Sequence, residues 1–333
     1  MHKKKISITD VARHANVSIS TVSRVINHLP TVNLANRRAV EEAISVLKFK
    51  PNVSAQRLAS GTTNAIGLVI PGYPGIFYSF YAIEIIRGVG HACEELGLDM
   101  IFHIANSSRP LNINALGGVI FADIIENRKQ VESALSVGHP CIVINYDVKD
   151  LDVPFIAIDN HKGGEIAAEY FYGLGHRRVA VITGNLNSQP ARHRYEGFVE
   201  YLNQKNVDLP SEYICKGDYS RRSAREAMES LLKLKCRPTA VFACSDEMAL
   251  EAISVILEKG LRVPEDISIV GFDDNPIALY GSVSLTTIRQ PLFEMASQAV
   301  KALSLQMKDD SVASIHKILS PELIIRESCQ NLR

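Results

Sequence analysis

Ser18-Ile-Ser-Thr-Val-Ser-Arg-Val-Ile-Asn27 reads as a short helix with one apolar and one polar side. Ser18 can cap its N-terminus, because a hydroxyl there accepts a hydrogen bond from otherwise unpaired backbone N–H groups. Val22, Val25 and Ile26 share one side at helical spacing, so we expect that side to be buried. The opposite side carries Ser, Asn and Arg but no acid, which suits a negatively charged partner with base edges to read. An ordinary amphipathic surface helix fits the same ten residues equally well.

Charge is distributed unevenly along the 333 residues. The formal net charge is zero, yet residues 1–60 contain ten Lys and Arg against three Asp and Glu, a net of +7. The remaining residues carry 26 basic side chains against 33 acidic ones, a net of −7. This asymmetry predicts a basic binding head on an acidic body, and the length fits two or three domains.

Targeting segments and metal motifs are not expected in this sequence. No apolar run follows Lys3-Lys4-Lys5, so we predict no signal peptide, and no stretch approaches the roughly 18 apolar residues of a membrane span. The six cysteines show no C-x-x-C spacing and are interpreted as reduced thiols of a cytosolic protein. We therefore expect a cytoplasmic protein without a cofactor, a metal or a membrane partner.

The first 50 residues predict a helix-turn-helix domain. Ser7-Ile-Thr-Asp10 is a capping-box pattern that opens a short helix, and Asn16-Val17 then turns the chain into the helix quoted above. In such a motif the second helix enters the major groove of DNA. A third helix is predicted from residue 34 to about 47, because Pro51 disfavours its continuation. Residues 52–60 fit either a helix of about two turns, too short to be stable alone, or a plain linker.

The body alternates apolar runs of strand length with helical patterns. Continuous apolarity within each run predicts strands buried on both faces, hence parallel sheets flanked by helices. We expect two doubly wound α/β lobes. The predicted strands are 66–70, 100–105, 118–122, 141–145, 155–158, 179–183, 240–243 and 267–272, and the predicted helices are about 82–96, 126–137, 161–174, 192–205, 220–235, 245–259 and 292–307.

Several motifs resemble the lactose-repressor/galactose-repressor (LacI/GalR) family of bacterial transcription regulators. The similarity in the head lies in Thr9-Asp-Val-Ala, Val17-Ser-x-x-Thr-Val-Ser-Arg-Val-Ile-Asn27 and Pro51-Asn-x-x-Ala-x-x-Leu-Ala-x-Gly61, and it continues through nearly the whole chain, for example in Val270-Gly-Phe-Asp-Asp274. It implies a helix-turn-helix domain at 1–50, a hinge helix and linker at 51–61, and a two-lobed core at 62–333 of the periplasmic-binding-protein type. The implied N-lobe is about 62–160 and 291–318, and the implied C-lobe is about 161–290 and 319–333.

The resemblance also assigns DNA-binding residues. Ile19, Ser20 and Arg24 correspond to base-reading positions, where Arg24 can make a bidentate contact with guanine and Ile19 can touch a thymine methyl. Leu58 corresponds to the hinge leucine that wedges between base steps in the minor groove. Ile19 is apolar where family members often carry a polar or aromatic residue, which leaves the operator preference open. The phosphate-contacting positions are Thr9, Ser18, Thr21, Ser23 and Asn27, and Asn52, Ala55 and Gln56 accompany Leu58 in the hinge.

A ligand between the lobes is implied in the same way. The family's effector contacts correspond to Arg194, Asp273 and Gln290, with Asn145 or Tyr146 as a less direct match. Polar side chains of these types bond sugar hydroxyls, and Phe77 and Tyr78 could stack on the apolar face of a sugar. Ser245 occupies a position where the family commonly has an Asn, which reduces its reach. Each polar residue could equally be structural, since an Asp after a strand often caps a turn.

One departure from the family pattern concerns the connection between Ala105 and Leu116. Only about ten residues separate them, whereas a parallel crossover normally requires about a dozen or more. The family places a whole helix there. We expect a lobe that lacks this helix, with an altered dimer surface or pocket rim.

The expected function is a ligand-controlled transcription regulator, in particular a repressor. Two identical heads would bind a pseudo-palindromic operator as a homodimer in the bacterial nucleoid, and a sugar in the cleft would be coupled to DNA binding. We expect no catalytic residues, since the sequence lacks P-loop, G-x-G-x-x-G, G-x-S-x-G and H-E-x-x-H motifs. Two alternatives remain open: a sugar-binding receptor, which suits the body but not the head, and a ligand-independent DNA-binding protein.

Overall fold

The chain divides at Thr63 into a small helical unit and a larger α/β unit. The computed structural model describes residues 6–26, 31–49, 63–72, 76–105, 111–122, 124–125, 127–309 and 314–332. No helix among these residues is long and apolar enough to cross a membrane.

The helical unit has the capped helices that the sequence predicts. Its elements are α1 (Ile8–His14), α2 (Ile19–Ile26) and α3 (Leu34–Leu47). The Asp10 backbone N–H donates to Ser7 Oγ at 3.3 Å, and the Ser7 backbone N–H donates to Asp10 Oδ2 at 2.9 Å, which confirms the capping box. The small core contains Val11, Ala12, Val22, Val25, Val40 and Ala43. The predicted buried side of α2 is therefore confirmed for its two valines.

The α/β unit consists of two lobes, each built on a six-stranded sheet. The N-lobe sheet is parallel and has the order β11-β5-β4-β3-β1-β2; the C-lobe sheet has the order β12-β10-β9-β8-β6-β7, with β12 antiparallel to β10. The N-lobe strands are β1 (Ala65–Ile70), β2 (Asp99–Ile104), β3 (Gly118–Phe121), β4 (Cys141–Ile144), β5 (Phe155–Ile158) and β11 (His316–Leu319). The C-lobe strands are β6 (Val179–Ile182), β7 (Ile214–Cys215), β8 (Ala240–Ala243), β9 (Ser268–Asp273), β10 (Thr286–Arg289) and β12 (Glu322–Ile324).

Helices cover the sheets, and the chain crosses between the lobes three times. The crossings follow β5, follow β10, and join β11 to β12. The N-lobe helices are α4 (Phe80–Leu96), α5 (Arg128–Ser136) and α10 (Leu292–Gln306), and the C-lobe helices are α6 (Asn160–Gly173), α7 (Gln189–Gln204), α8 (Arg221–Lys233) and α9 (Asp246–Glu258). The predicted two-lobed, doubly wound fold is confirmed.

Four strands were absent from the sequence prediction. β7 is only two residues long. β11 is largely exposed and β12 is half-buried, each at a sheet edge, so neither sequence has a fully buried apolar run. β10 is buried but begins with two threonines, Thr286 and Thr287. Both hydroxyls form hydrogen bonds, which allows polar side chains in a buried strand and hides it from hydrophobic patterning.

The short connection between β2 and β3 lacks an α-helix in its described part. Residues 111–117 contain a single 3-10 turn, Ile113–Ala115, and 106–110 lie outside the described residues. Leu111 and Leu116 pack over Gly67 of β1, where a Cβ would come within 2.8 Å of Leu116 Cδ1. Ile101 pairs with Gly67 and stays 42% exposed. Two leucines thus cover this part of the sheet face, and the absence of a helix from the whole connection stays a prediction.

α6 and α7 pack with their backbones in close approach. A Cβ on Gly164 would overlap the carbonyl of Arg194, and a Cβ on Gly197 would overlap the carbonyl of His161. Only glycine permits this separation, so the two helices are expected to move together.

Replacing Gly164 by alanine should therefore destabilise the protein, by about 1–3 kcal/mol from overpacking. Gly173→Ala, in the same helix, is the matched control, because a Cβ there meets nothing within 4 Å. The control should leave the melting temperature unchanged or raise it slightly, since alanine favours a helix over glycine. Equal melting temperatures for both variants would contradict this account of the helix pair.

Candidate DNA-binding surface and ligand cleft

The exposed side of α2 carries the predicted base-reading residues. Ile19 is 48% exposed although it is apolar, and Ser20 and Arg24 are exposed as well. Ser18 Oγ accepts a hydrogen bond from the Thr21 backbone N–H at 3.1 Å, which confirms the cap. Of the other predicted DNA contacts, Thr9 is exposed and Ser23 is half-buried. Asn27, Asn52, Ala55, Gln56 and Leu58 lie outside the described residues.

Arg194 is a buried cation of the C-lobe. It projects from α7, is 4% exposed, and its guanidinium carbon lies 3.7 Å from the centroid of the Phe272 ring. Its Nε donates to Asn160 Oδ1 at 2.8 Å, and its NH1 donates to the Cys244 carbonyl at 2.7 Å. These two hydrogen bonds use two of the five guanidinium N–H donors, so the group is oriented and can still donate to a ligand.

Asp273 and Gln290 lie next to this guanidinium. Arg194 NH1 is 4.0 Å from Asp273 Oδ1, and Gln290 Nε2 donates to the same oxygen at 2.5 Å. Burial raises the pKa of Asp273 to about 6, although the Arg194 charge and the Gln290 hydrogen bond both lower it. The structure thus brings together the three residues that the family resemblance names.

Two of the buried acceptors without a hydrogen-bond partner lie directly after strands. Among the described residues, Gln290 Oε1 and Asn145 Oδ1 are buried and accept no hydrogen bond. Such an atom costs about 1–3 kcal/mol, which a hydroxyl or amine donor of a ligand would recover. Asn145 follows β4 and Gln290 follows β10, both at carboxyl ends of strands, where open α/β sheets bind ligands.

Four of the seven non-glycine residues with positive φ in the described part of the chain lie at or after the ends of β4, β7 and β9. Asn145 has a φ of 63°, Tyr219 of 72°, Asp273 of 125° and Asp274 of 57°. Non-glycine residues adopt such angles at a cost of about 1–3 kcal/mol each, and they cluster at functional sites. The surrounding packing has to hold these side chains in place.

Tyr219 and Asp246 lie close to Arg194 and Asp273, and the sequence prediction does not include them. Tyr219 packs against Gly184, where a Cβ would overlap its ring, and burial raises its pKa to about 12. Asp246 is fully buried and accepts hydrogen bonds from the Thr287 hydroxyl at 2.5 Å and the Asn275 backbone N–H at 2.8 Å. Burial raises the pKa of Asp246 well above its usual value. Tyr219 follows β7, whose two residues gave no strand signal.

The remaining predicted cleft residues have other surroundings. Ser245 caps α9, since its Oγ accepts from the Met248 backbone N–H at 3.3 Å. Tyr146 packs against an N-lobe core cluster. The Phe77 ring lies 5.6 Å from that of Phe102 in the edge strand β2, and Tyr78 is 86% exposed. The roles of these four residues as ligand contacts stay predictions.

A direct bridge joins the two lobes. Gln189, the first residue of α7, accepts from the Asp147 backbone N–H at 2.9 Å and donates to the Asp147 carbonyl at 3.0 Å. Asp147 follows β4 of the N-lobe. The same helix that carries Arg194 therefore also contacts the opposite lobe.

Asp273 and the adjacent Asp274 contact different side chains. Asp274 Oδ2 accepts from Arg289 at 2.7 Å, and its Oδ1 accepts from Arg326 at 2.5 Å, whereas Asp273 contacts Gln290. The two carboxylates serve different partners. Within the part of the chain that the structure describes, no group of three or more His, Cys, Asp or Glu side chains could hold a metal ion.

Comparison with known proteins identifies the family. Residues 7–52 match the family of bacterial regulatory proteins called the lacI family, and residues 168–329 match a periplasmic binding protein-like domain. A probable HTH-type transcriptional repressor ExuR of Bacillus subtilis (strain 168) is 33% identical over 336 residues, which cover 98% of this chain and 99% of the relative. The chain belongs to the LacI family. Catabolite control protein A of Priestia megaterium is 31% identical, over 97% of this chain and 99% of its own length.

Solved structures of LacI-family proteins share the whole architecture. The Lac repressor dimer bound to operator and the anti-inducer ONPF has a TM-score of 0.84 and 27% identity, covering 98% of this chain and 100% of that one. A complex of the transcriptional regulator CelR with cellobiose has a TM-score of 0.70 and 28% identity, over 97% and 99% of the two chains. As a member of the LacI family, this protein is a DNA-binding transcriptional regulator.

Proposed function

We propose that this LacI-family repressor reads its operator through the exposed side of α2 and binds a neutral, polyhydroxylated ligand between its lobes. The ligand class we favour is a sugar. The observation that carries the proposal is the buried group of Arg194, Asp273 and Gln290, which combines an oriented cation, a carboxylate and an amide with an unpaired acceptor. Vicinal hydroxyls both donate and accept, and therefore match this set.

The electrostatics of the cleft favour a neutral ligand over an anionic one. Burial raises the pKa of Asp246, Asp273 and Glu247, so additional negative charge there would be unfavourable. Arg194 is the nearby cation, and two of its donors are already bound within the protein. We therefore expect sugar phosphates and other anions to bind less well than neutral sugars.

The DNA-contacting roles follow from exposure and chemistry. Ser18, Thr21 and Ser23 supply hydroxyls near the N-terminal half of α2, where phosphate oxygens are well accommodated. Ile19, Ser20 and Arg24 on the same helix supply a methyl contact, a hydroxyl and a guanidinium for base edges. Thr9 on α1 adds a further phosphate contact. Asn27 and the hinge residues Asn52, Ala55, Gln56 and Leu58 are proposed from the family resemblance alone.

A homodimer would present two such heads to a pseudo-palindromic operator. The Lac repressor that shares this fold is a dimer on its operator. The surface that we propose for the second copy is the exposed apolar side of α9 and the turn after β9. It contains Leu257, Ile277, Leu279 and Tyr280, which are 37%, 41%, 51% and 82% exposed. Such a continuous apolar surface is typical of a subunit interface.

We further propose that the protein has no enzymatic activity and acts on DNA in the bacterial cytoplasm. Its relatives are transcriptional repressors, and the cleft carboxylates are engaged by arginine and glutamine side chains. A sugar-binding receptor would have no use for the basic helix-turn-helix head. A ligand-independent regulator would not require the strained, partly unsatisfied residues of the cleft.

Arg24→Ala should weaken binding to an operator selected from random palindromes by about 5- to 150-fold, the equivalent of about 1–3 kcal/mol for one bidentate base contact. The matched control is Arg13→Ala, which removes the same charge from α1, where Arg13 is exposed and pairs with Asp10 at 3.3 Å. Fluorescence anisotropy with selected and scrambled duplexes measures the preference. Arg24→Ala should reduce the preference for the selected duplex over the scrambled one, whereas Arg13→Ala should weaken binding to both duplexes by the same factor. An unchanged preference in Arg24→Ala would refute the assignment.

A thermal-shift screen of neutral sugars, sugar phosphates and nucleosides tests the ligand class, and the hits should be neutral sugars. Affinity for a hit should fall about tenfold from pH 7 to pH 5, because the ionised carboxylate of Asp273, with a pKa of about 6, accepts ligand hydroxyls. Isothermal titration calorimetry measures this change, and Asp273→Asn should remove it. Hits confined to phosphates or nucleosides, or equal affinities at both pH values, would contradict the proposal.

A further inference from the structure

Two of the three chain crossings between the lobes carry a polar side chain that is hydrogen-bonded to Arg194 or Asp273. Asn160 opens α6 directly after the crossing from β5, and Gln290 lies in the crossing between β10 and α10. Arg194 and Asp273 lie between them. Gln290 was expected at the cleft from the family resemblance, whereas no role was expected for Asn160.

Asn160 is hydrogen-bonded in two directions. Its Oδ1 accepts from Arg194 Nε at 2.8 Å, and its Nδ2 donates to the carbonyl of Ile158, the last residue of β5, at 3.1 Å. Asn160 is 3% exposed and Arg194 is 4% exposed, so water cannot readily replace either bond. The amide therefore fixes the guanidinium relative to the end of the N-lobe strand.

Helix capping does not account for the Asn160 side chain. The cap of α6 is Asp159, whose side chain accepts from the Lys162 backbone N–H at 2.9 Å. Both polar atoms of the Asn160 amide are instead committed to Arg194 and Ile158. A residue needed only to start the helix would not require this arrangement.

The second half of the connection runs through Asp273. Arg194 NH1 lies 4.0 Å from Asp273 Oδ1, which accepts from Gln290 Nε2 at 2.5 Å. The Gln290 carbonyl in turn accepts from the Leu292 backbone N–H at 2.9 Å, where α10 begins. A continuous polar chain thus joins the end of β5 to the start of α10 through the two charged side chains of the cleft.

We propose that Asn160 is a positioning residue for the ligand response, which ties Arg194 to the first crossing as Gln290 ties Asp273 to the second. A ligand that pulls Arg194 or Asp273 toward itself then displaces Asn160 and Gln290 as well. These two residues lie at the two crossings, and the crossings set the angle between the lobes. The close packing of Gly164 against the Arg194 carbonyl transmits the same movement to α6. The inference rests on the proposed ligand-binding role of Arg194 and Asp273, but the chain of contacts can be tested without a ligand.

Hydrogen–deuterium exchange of the full-length, ligand-free protein tests the connection. Asn160→Ala should accelerate exchange several-fold in peptides covering 288–293, on the far crossing. Asn160→Asp keeps the acceptor for Arg194 and loses the donor to Ile158, so exchange should rise around 156–160 and stay unchanged at 288–293. The control is His161→Ala, which removes the neighbouring contact to Glu200 at 3.0 Å between α6 and α7 and should leave 288–293 unchanged.

A double-mutant cycle on the melting temperature is the second measurement. A purely local structural role of Asn160 would not change its outcome. The melting-temperature losses of Asn160→Ala and Gln290→Ala should not add in the double variant, because the two residues act through one chain, whereas independent sites add. If Asn160→Ala does not fold, Asn160→Ser replaces it. Unchanged exchange at 288–293 together with additive losses would overturn the proposal. If no sugar binds but the substitutions still show coupling between the two crossings, the proposed ligand class is wrong and the role of Asn160 stands.

Discussion

The orientation of the Arg194 guanidinium is the constraint on which the rest of the ligand cleft depends. The group is stacked on Phe272 and held by Asn160 and the Cys244 carbonyl, so its direction is set before any ligand arrives. It places a positive charge next to Asp273, whose burial would otherwise raise its pKa even further. Preorganised donors of this kind recognise a ligand without the cost of ordering their own side chains. The close approach of α6 and α7 at Gly164 also fixes the backbone of Arg194.

For a ligand to control DNA binding, the position of the Arg194 guanidinium must also depend on how the two lobes are arranged. Gln189 bridges to Asp147 of the opposite lobe from the helix that carries Arg194, and Asn160 and Gln290 stand in two of the crossings. Ligand contacts and lobe contacts therefore share the same few elements. Two sites are coupled only if the ligand binds one arrangement of the lobes more tightly than another. The shared residues would provide this difference in affinity.

Much of the fold could be predicted from sequence because its signals are local and repeated. The capping box at Ser7, the apolar side of α2 and the continuous apolar strands all follow from short-range patterns, and the structure confirms them. The strands β7, β10, β11 and β12 are missed, since a two-residue strand, buried threonines and partly exposed edge strands do not produce such patterns. In the cleft, Arg194, Asp273 and Gln290 were named through family resemblance. Asn160, Tyr219 and Asp246 acquire their roles only from contacts with residues distant in sequence, which no local pattern encodes.

The central claim is that a sugar in the cleft and the operator on the head influence each other's affinity. The most direct test is to measure, by calorimetry and anisotropy on the same preparation, the affinity of the best sugar from the thermal-shift screen with and without a selected operator, and the operator affinity with and without that sugar. Thermodynamic linkage requires the two ratios to be equal, and we predict a common factor of about 5- to 150-fold. A sugar that binds equally well to the free and the operator-bound protein would contradict the account.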